Sequence, residues 1–436
     1  MRQTTPLSAN GAARPKLLNL NSYHHRRGGA DVVYLDHAAL FASQGWDTAF
    51  FAMHHPQNEP SVWSPYFVDE LQYGASYGAL QKVQMAGKII YSVEARQKLA
   101  ALLKVFRPDV AHAHNLYHHL SPSVLSLLHA EGIPTVMTAH DLKLACPSHE
   151  MLLHGRICER CKGGHFIHCV TNQCIKQSTA LSALVALESA VHRMAGSYIK
   201  HLGRIIVPSR FLGTKLVEWG VPQALIHYLP NAVDVRAFQP AMLPGQGFAY
   251  IGRMTASKGV VTLIEAAKRT GLPLQMVGSG ELDDNLRAQA SGHPNIQFAG
   301  RLRGAALWQA VVGCRALVLP SEWYENAPMS ILEAYALGRP VIGARIGGIP
   351  EMIDPGETGF LFEPGNVDAL AAEMERVAAL PDTQLQRLGA AARQRVVRDY
   401  SNQTYLANML ALYASLGVRG AAAHATGPAP TRTGRP

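Results

Sequence analysis

Two glutamates in one short stretch are the residues best suited to chemistry in this sequence. Glu325 and Glu333 lie in PSEWYENAPMSILEAYALGRPVIGARIGGIPEM, which reads as a strand end, a loop, a helix, a strand and a Gly-rich turn. Pro328 suits the first helical position, so free backbone N–H groups from Asn326 to Ser330 would favour an anion such as a diphosphate. Glu325 could reach a sugar, and Glu333, deeper in the helix, could accept hydrogen bonds from vicinal hydroxyls. The stretch predicts a sugar-nucleotide site; the alternative is an ordinary loop and helix, with Glu333 solvated or capping.

Two cations lie where a helix dipole disfavours them. Arg253 and Lys258 occur in FAYIGRMTASKGVVTLIEAAK, which reads as a strand, a loop and an amphipathic helix, and they precede or begin that helix. Positive charge at a helix N-terminus is unfavourable unless an anion is present. We therefore predict that both side chains meet an anion. The structural alternative is a salt bridge to Glu265 or to another carboxylate.

Histidines and glycines follow strands in the N-terminal half. The segments PDVAHAHN and TVMTAHD read as strands that end near His114 and His140, at the same edge of a parallel sheet. A histidine at a strand end is often only a satisfied polar residue, and His114 is expected to orient its loop. Gly28 and Gly29 would let a loop backbone approach a ligand, although an ordinary tight turn explains the pair equally well.

Alternating strands and helices predict an α/β fold made of doubly wound parallel sheets. A length of 436 residues favours two or three domains. The predicted order is a disordered N-terminus (1–14), a Rossmann-like domain (15–232), a linker (233–246), a second Rossmann-like domain (247–399), a helix (400–416) and a disordered tail (417–436).

The motifs resemble those of one enzyme family. Glu325, seven intervening residues, Glu333, and then GRPVIGARIGGIPEMI and GETGFLF resemble the group 1 (family 4) retaining glycosyltransferases, from about Lys16 to about Leu416. The resemblance implies a GT-B fold, in which two Rossmann-like domains face each other across a cleft and a C-terminal helix crosses back to the first domain. It also implies a retaining hexosyltransferase that uses a UDP- or GDP-linked sugar and a saccharide or lipid-linked acceptor, in surface polysaccharide or exopolysaccharide biosynthesis.

The resemblance assigns roles to particular residues. It implies that His140 sits over the reacting sugar and acts in catalysis with Arg253, Lys258 and Glu325. Attack would occur on the same face as the leaving group, whose phosphate takes the acceptor proton, and no catalytic metal is expected because the two cations replace it. The residues expected to contact the donor are Gly29, Arg253, Lys258, Glu325, Asn326, Ala327, Pro328, Met329 and Glu333.

Five of the six cysteines fall between Cys146 and Cys174, a clustering that favours a metal over disulfides in a reducing compartment. A tetrahedral zinc site could be closed by Cys146, Cys158, Cys161 and Cys174, with His149, His154, His165, His168 and Cys169 as alternates. Some family members share a CP...C..C......C pattern, which implies that the four cysteines act together. Such a zinc would be structural, because four protein ligands leave no open position. Reduced thiols or a redox pair are the alternatives.

The net charge of +9 implies an anionic partner: a nucleic acid, an acidic membrane face or a phosphorylated substrate. No recognisable nucleic-acid module is present, so no nucleic-acid partner is expected. Residues 83–107 form a basic amphipathic pattern, which could lie on the inner face of a membrane or could be a core-facing helix with a solvated basic face. The chain lacks a membrane-spanning run and a signal peptide, so we expect it in the cytoplasm, with peripheral membrane contact.

Rival functions come from other classes. The chain could be a catalytically silent partner that binds a sugar nucleotide or a lipid head group, although the presence of Glu325, Arg253, Lys258 and His140 argues against silence. A sugar-nucleotide epimerase on the same architecture would form product without an acceptor. A zinc-stabilised nucleic-acid binder would show steeply salt-dependent binding to oligonucleotides.

Overall fold

The computed structural model describes residues 14–70, 87–240, 243 and 245–421. It contains two six-stranded parallel sheets, as the alternating pattern predicts. Strands such as Val110–Ala113 and Val341–Ala344 are buried along their whole length. Continuous burial is typical of parallel sheets whose two faces are both covered by helices.

The strands of the first unit are β1 Lys16–Leu20, β2 Asp47–Phe51, β3 Val110–Ala113, β4 Thr135–Thr138, β5 Leu152–Leu153, β6 Arg156–Ile157, β7 Arg204–Val207 and β8 Ile226–Tyr228. They form a sheet with the order β2-β1-β3-β4-β7-β8, and the short β5 and β6 pair with each other outside it. The helices of this unit are α1 Gly29–Ser43, α2 Val93–Val105, α3 Ser123–Ala130, α4 Ile167–Thr171, α5 Thr179–Ala195 and α6 Arg210–Glu218.

The strands of the second sheet are β9 Phe248–Ile251, β10 Leu274–Val277, β11 Ile296–Gly300, β12 Ala316–Leu319, β13 Val341–Ala344 and β14 Gly359–Phe362. Their order in the sheet is β11-β10-β9-β12-β13-β14. The helices that follow β9 are α7 Val260–Thr270, α8 Asp283–Gln289, α9 Gly304–Val312, α10 Met329–Ala336, α11 Ile349–Met352, α12 Val367–Ala379, α13 Asp382–Asp399 and α14 Asn402–Ser415. Short 3-10 helices lie at Ser64–Tyr66, Lys162–Gly164, Gln223–Leu225, Val235–Ala237 and Ala256–Lys258.

The last helix, α14, returns to the first unit, as predicted. Its Tyr405 and Tyr413 pack in an apolar cluster with Leu17 and Val110 of the first sheet. The predicted disorder of the tail from Gly417 is wrong at its start, because Val418 and Ala421 are buried in the same cluster. Residues 422–436 and 1–13 lie outside the described part of the chain.

The basic helical segment faces the core. Within predicted residues 83–107, helix α2 buries Ala95, Leu99, Leu102 and Leu103, and residues 83–86 are outside the described range. The apolar side is therefore not free to lie on a membrane, and the core-facing alternative describes this helix. Among the described residues, no helix is both long enough and apolar enough to span a bilayer.

Candidate active site

A cavity of about 320 Å³ lies where the carboxyl ends of the two sheets meet. The first unit contributes Gly29 and His140 to its wall, and the second contributes Lys258 and the loop before α10. The loop brings Glu325, Asn326, Ala327, Pro328 and Met329 to the same wall. The structure therefore brings together most of the predicted site residues. The exceptions are Arg253 and Glu333, which do not line this cavity.

Glu325 and Lys258 form an ion pair at the cavity wall. The Nζ atom of Lys258 lies 2.5 Å from Glu325 Oε1, which also accepts a hydrogen bond of 2.8 Å from the Ser321 hydroxyl. Burial alone would raise the pKa of Glu325, but the Lys258 ammonium holds that pKa below its ordinary value. Lys258 also lies 4.9 Å from the centre of the Trp323 ring. The salt-bridge alternative therefore applies to Lys258, with Glu325 rather than Glu265 as its partner.

Arg253 is the exposed cation of this region. Its backbone carbonyl accepts a 2.7 Å hydrogen bond from the Tyr250 hydroxyl, which fixes the loop after β9. Within the described residues, the Arg253 guanidinium has neither an ion pair nor a hydrogen bond. It is therefore available to a ligand, unlike the paired Lys258.

Close backbone packing shapes the loop that carries Glu325. The Gly348 N–H donates to the Glu325 carbonyl at 2.8 Å. A Cβ atom at Gly347 would overlap the Glu325 carbonyl oxygen, and one at Gly348 would overlap the Asn326 carbonyl oxygen. Gly347 also has a φ of +59°, which disfavours other residues. The two glycines of the GGIP motif thus support the site, a role the sequence analysis missed.

The side chain of Asn326 is engaged across the cleft. Its Nδ2 donates to the carbonyl oxygens of Ala139 and His140 at 3.3 and 3.2 Å, and its Oδ1 accepts a 2.7 Å bond from the Ser209 hydroxyl. Glu351 adds a second bridge, because its carboxylate accepts from the backbone N–H groups of Arg210 and Phe211 at the start of α6. These contacts hold the two units together beside the cavity.

Glu333 is half-buried in α10 and has no hydrogen-bond or ion-pair partner among the described residues. Burial raises its pKa to about 7. A carboxyl group with this pKa is about half ionised at neutral pH. A ligand that supplies hydroxyl donors would favour the ionised form.

His140 belongs to a stack of buried imidazoles. His114 Nδ1 lies 2.9 Å from His140 Nε2, and the two rings are stacked with centroids 5.2 Å apart. His112 stacks on His114 and hydrogen-bonds to Tyr413 of the return helix at 2.8 Å. Burial lowers the pKa of His140 to about 4. The ring is therefore neutral near pH 7, and its Nε2 is occupied by His114, which leaves Nδ1 for a ligand.

The four predicted zinc ligands lie near one another, because the thiols of Cys146, Cys158 and Cys174 all act on the pKa of Cys161, and the zinc site stays a prediction. Among the described residues, no group of three or more His, Cys, Asp or Glu side chains could hold a metal ion. Cys146 packs in the core of the first sheet, whereas Cys161 and Cys169 pack in a separate small cluster. Burial and the neighbouring thiols raise the pKa of Cys161 to about 12. None of the described cysteines forms a disulfide.

Comparison with known families gives two matches. The model described as glycosyl transferases group 1 matches residues 245–395, and the model described as glycosyltransferase family 4 matches residues 27–237. Together they cover more than half of the chain, one on each sheet.

Curated proteins and solved structures agree with these matches. A glycogen synthase of Mycobacterium tuberculosis is 28% identical over 312 residues, which are 69% of this chain and 67% of that protein. The structure of sucrose-phosphate synthase from Thermosynechococcus elongatus has a TM-score of 0.68 at 20% identity and covers 93% of this chain and 99% of that one. Anabaena Alr3699/HepE, solved in complex with UDP and glucose, has a TM-score of 0.64 at 15% identity, covering 92% and 100%. At these identities the structures establish the shared GT-B fold.

Proposed function

The chain belongs to the group 1 glycosyltransferases, and from this premise we propose that it moves a hexose from a nucleoside diphosphate to a saccharide or lipid-linked acceptor. The observation that carries the proposal is the convergence of Lys258, Glu325, His140 and the N-terminus of α10 on one cavity. These groups suit an anionic diphosphate joined to a sugar.

Each group has a part in the proposed reaction. Lys258, Arg253 and the amides at the start of α10 would stabilise the negative charge that develops on the leaving diphosphate. Charge-assisted hydrogen bonds are worth about 1.5–3 kcal/mol each, and the helix N-terminus adds up to about 2 kcal/mol. Typical enzymes lower the barrier by about 8–23 kcal/mol. Positioning of the donor and acceptor across the cleft would supply much of the difference.

The proposed donor contacts involve residues of the same cavity wall, together with Glu333, which lies outside that wall. Glu325 would grip the transferred sugar, His140 would contact its hydroxyls or phosphate, and Gly29 with the segment from Asn326 to Met329 would face the diphosphate. Glu333 would accept hydrogen bonds from the ribose hydroxyls. Retention would follow from same-face attack, with the leaving phosphate taking the acceptor proton.

We further propose a role in surface polysaccharide or exopolysaccharide biosynthesis, in the cytoplasm. Free cysteines are typical of a reducing compartment. A lipid-linked acceptor would bring the protein to an anionic membrane face, which its net charge of +9 favours. The donor is UDP- or GDP-linked, and HepE, which holds UDP and glucose in its structure, makes UDP-glucose the first donor to test.

A donor screen tests the function. UDP-glucose, UDP-N-acetylglucosamine and GDP-mannose are compared by the shift in melting temperature and by sugar release. We expect one of them to stabilise the protein and to be hydrolysed slowly without an acceptor. Stabilisation by none at millimolar concentration would contradict the proposal. Binding without release or transfer would favour the silent partner, and conversion of the sugar without an acceptor would favour an epimerase.

Donor affinity is expected to increase between pH 6 and pH 8 through Glu333. Its pKa lies at about 7 in the free protein, so at pH 6 about a tenth of the group is ionised and ready to accept two hydroxyl donors. The dissociation constant of the nucleotide sugar should be about five- to tenfold larger at pH 6 than at pH 8. Calorimetric titration measures it, with Glu333→Gln as the control that should remove the slope. The same slope in both proteins would show that another group titrates.

His114 is expected to position His140. The Nδ1 atom of His114 forms a 2.9 Å hydrogen bond with His140 Nε2. The Nε2 atom of His114 has no partner in the described part of the chain. Replacing His114 with phenylalanine keeps the stack and removes the bond, so turnover should fall about tenfold with little change in donor KM. His114→Asn, which can restore a donor or acceptor near Nδ1, should recover part of the loss. An unchanged turnover in His114→Phe, or no recovery with asparagine, would contradict this role.

A further inference from the structure

A second cavity, of about 240 Å³, lies in the first unit. It shares no lining residue with the cleft cavity. Helix α5 forms one wall, the segment from Gly196 to Ile199 and the end of α6 at Trp219 form others, and Lys143 and Leu144 complete it. The volume is sufficient for one six-membered ring with its substituents or for several water molecules.

A buried ion pair forms part of this wall. Lys143 Nζ lies 2.8 Å from Glu188 Oε2 and donates to the Pro147 carbonyl at 3.0 Å. The two side chains are only 6% and 1% exposed. Such pairs often add little stability, since desolvation of both charges offsets their attraction. A gain in stability from this ion pair therefore does not explain why the two charges are buried beside α5.

Three lining residues keep buried polar atoms without partners. Within the residues that the structure describes, Ser189 Oγ, His192 Nε2 and Trp219 Nε1 have no hydrogen-bond partner. His192 is 8% exposed and Trp219 is 2% exposed. In native proteins most buried polar atoms form hydrogen bonds. Three buried polar atoms without hydrogen bonds around one cavity therefore indicate that a ligand or water supplies their partners.

The chemistry of the wall favours an uncharged ligand that carries hydroxyl groups. Lys143 and Glu188 neutralise each other, and burial lowers the pKa of His192 to about 4, so its ring is neutral. Arg193 also lines the cavity, but its side chain is exposed and its guanidinium donates to the Trp219 carbonyl at 2.7 Å. The buried part of the wall therefore offers no free counter-ion to a charged ligand. Hydroxyl groups both donate and accept, which matches the serine, imidazole and indole atoms. The Phe166, Tyr198 and Trp219 side chains offer aromatic surface to the C–H face of a ring.

We propose that this cavity binds one neutral sugar ring, at a site separate from the donor cleft. The inference goes beyond the proposed function, because it requires binding and no catalysis. The site is linked to the cleft through one segment of chain. The backbone N–H of Lys143 donates to Asp141 Oδ1 at 2.9 Å, and Asp141 lines the cleft cavity.

Binding of methyl α-D-glucopyranoside and methyl α-D-mannopyranoside to the full-length protein tests the proposal. Saturation-transfer NMR should detect at least one glycoside at millimolar concentration. Ser189→Leu, which fills the cavity, should abolish the signal, and Trp219→Phe, which removes the indole N–H together with part of the ring, should weaken binding at least fivefold. Glu325→Gln, in the cleft, and Trp308→Phe, in the second unit, should leave it unchanged.

Three results would overturn the proposal. If the wild type binds neither glycoside, water rather than a sugar satisfies the three polar atoms. Binding that survives in Ser189→Leu would place the glycoside elsewhere. Loss of binding in Glu325→Gln would place the glycoside in the cleft. The affinity for the nucleotide sugar is measured separately, and it tests the proposed function independently of the second cavity.

Discussion

Replacing Lys258 with alanine is expected to lower the rate of sugar transfer by about 10²–10³-fold while both sheets stay folded. The ammonium borders the cleft cavity and lies 2.5 Å from Glu325 Oε1. In the proposed reaction it stabilises charge on the leaving diphosphate, so its loss affects the transition state more than donor binding. Turnover at saturating nucleotide sugar measures the effect, and circular dichroism confirms folding.

Lys268 provides the matched control for Lys258. It lies on α7, the helix that begins just after Lys258, and pairs with Glu265 at 2.8 Å, away from the cleft cavity. Because this pair is partly exposed, Lys268→Ala should change turnover by less than about twofold. If Lys258→Ala also retains turnover within about twofold of wild type, the role assigned to Lys258 is wrong.

The Lys258 variant should also show a pH-dependent loss of stability. In the wild type the pKa of Glu325 is held below its ordinary value, so the pair adds stability above the unfolded pKa and loses it as pH falls through the folded pKa. Without Lys258, burial would instead raise the pKa of Glu325. The melting temperatures of wild type and variant should therefore differ more at pH 8 than at pH 4.

The fold and the site loop could be predicted from local patterns. Apolar runs separated by helices predict parallel sheets, and Pro328 after an acidic loop predicts a helix N-terminus at the cleft. Long-range partners could not be predicted in this way. Lys258 and Glu325 are 67 positions apart, and the Asn326 side chain bonds to residues of the other sheet. No sequence period specifies such contacts.

Two features that the sequence leaves open have the same physical origin. The basic pattern of residues 83–107 is compatible with a membrane surface or with a protein core, and only packing against the first sheet selects the core. The cysteine spacing is compatible with zinc or with reduced thiols, and only the fold brings Cys146, Cys158 and Cys174 close enough to Cys161 to raise its pKa. In both cases the sequence contains the right residue types, and the tertiary arrangement decides their neighbours.

Replacing Glu325 with glutamine is expected to reduce transfer by about 10²-fold or more, because it removes the charge that holds Lys258 and that would grip the sugar. Glu322→Gln is the control from the same loop, since that carboxylate accepts from the Thr262 hydroxyl and does not line the cleft cavity. It should change turnover by less than about threefold.

A double-mutant cycle decides whether the pair acts as one unit. If Lys258 orients Glu325 and Glu325 orients Lys258, either single change disrupts both, and Lys258→Ala with Glu325→Gln should be little worse than the more damaging single change. Single-turnover rates with a nucleotide sugar are measured for the wild type, the two single variants and the double variant. Losses that multiply would instead indicate independent contacts, with Lys258 on the diphosphate and Glu325 on the sugar. Wild-type rates in both single variants would mean that the 2.5 Å ion pair is only structural and that the transfer chemistry lies elsewhere.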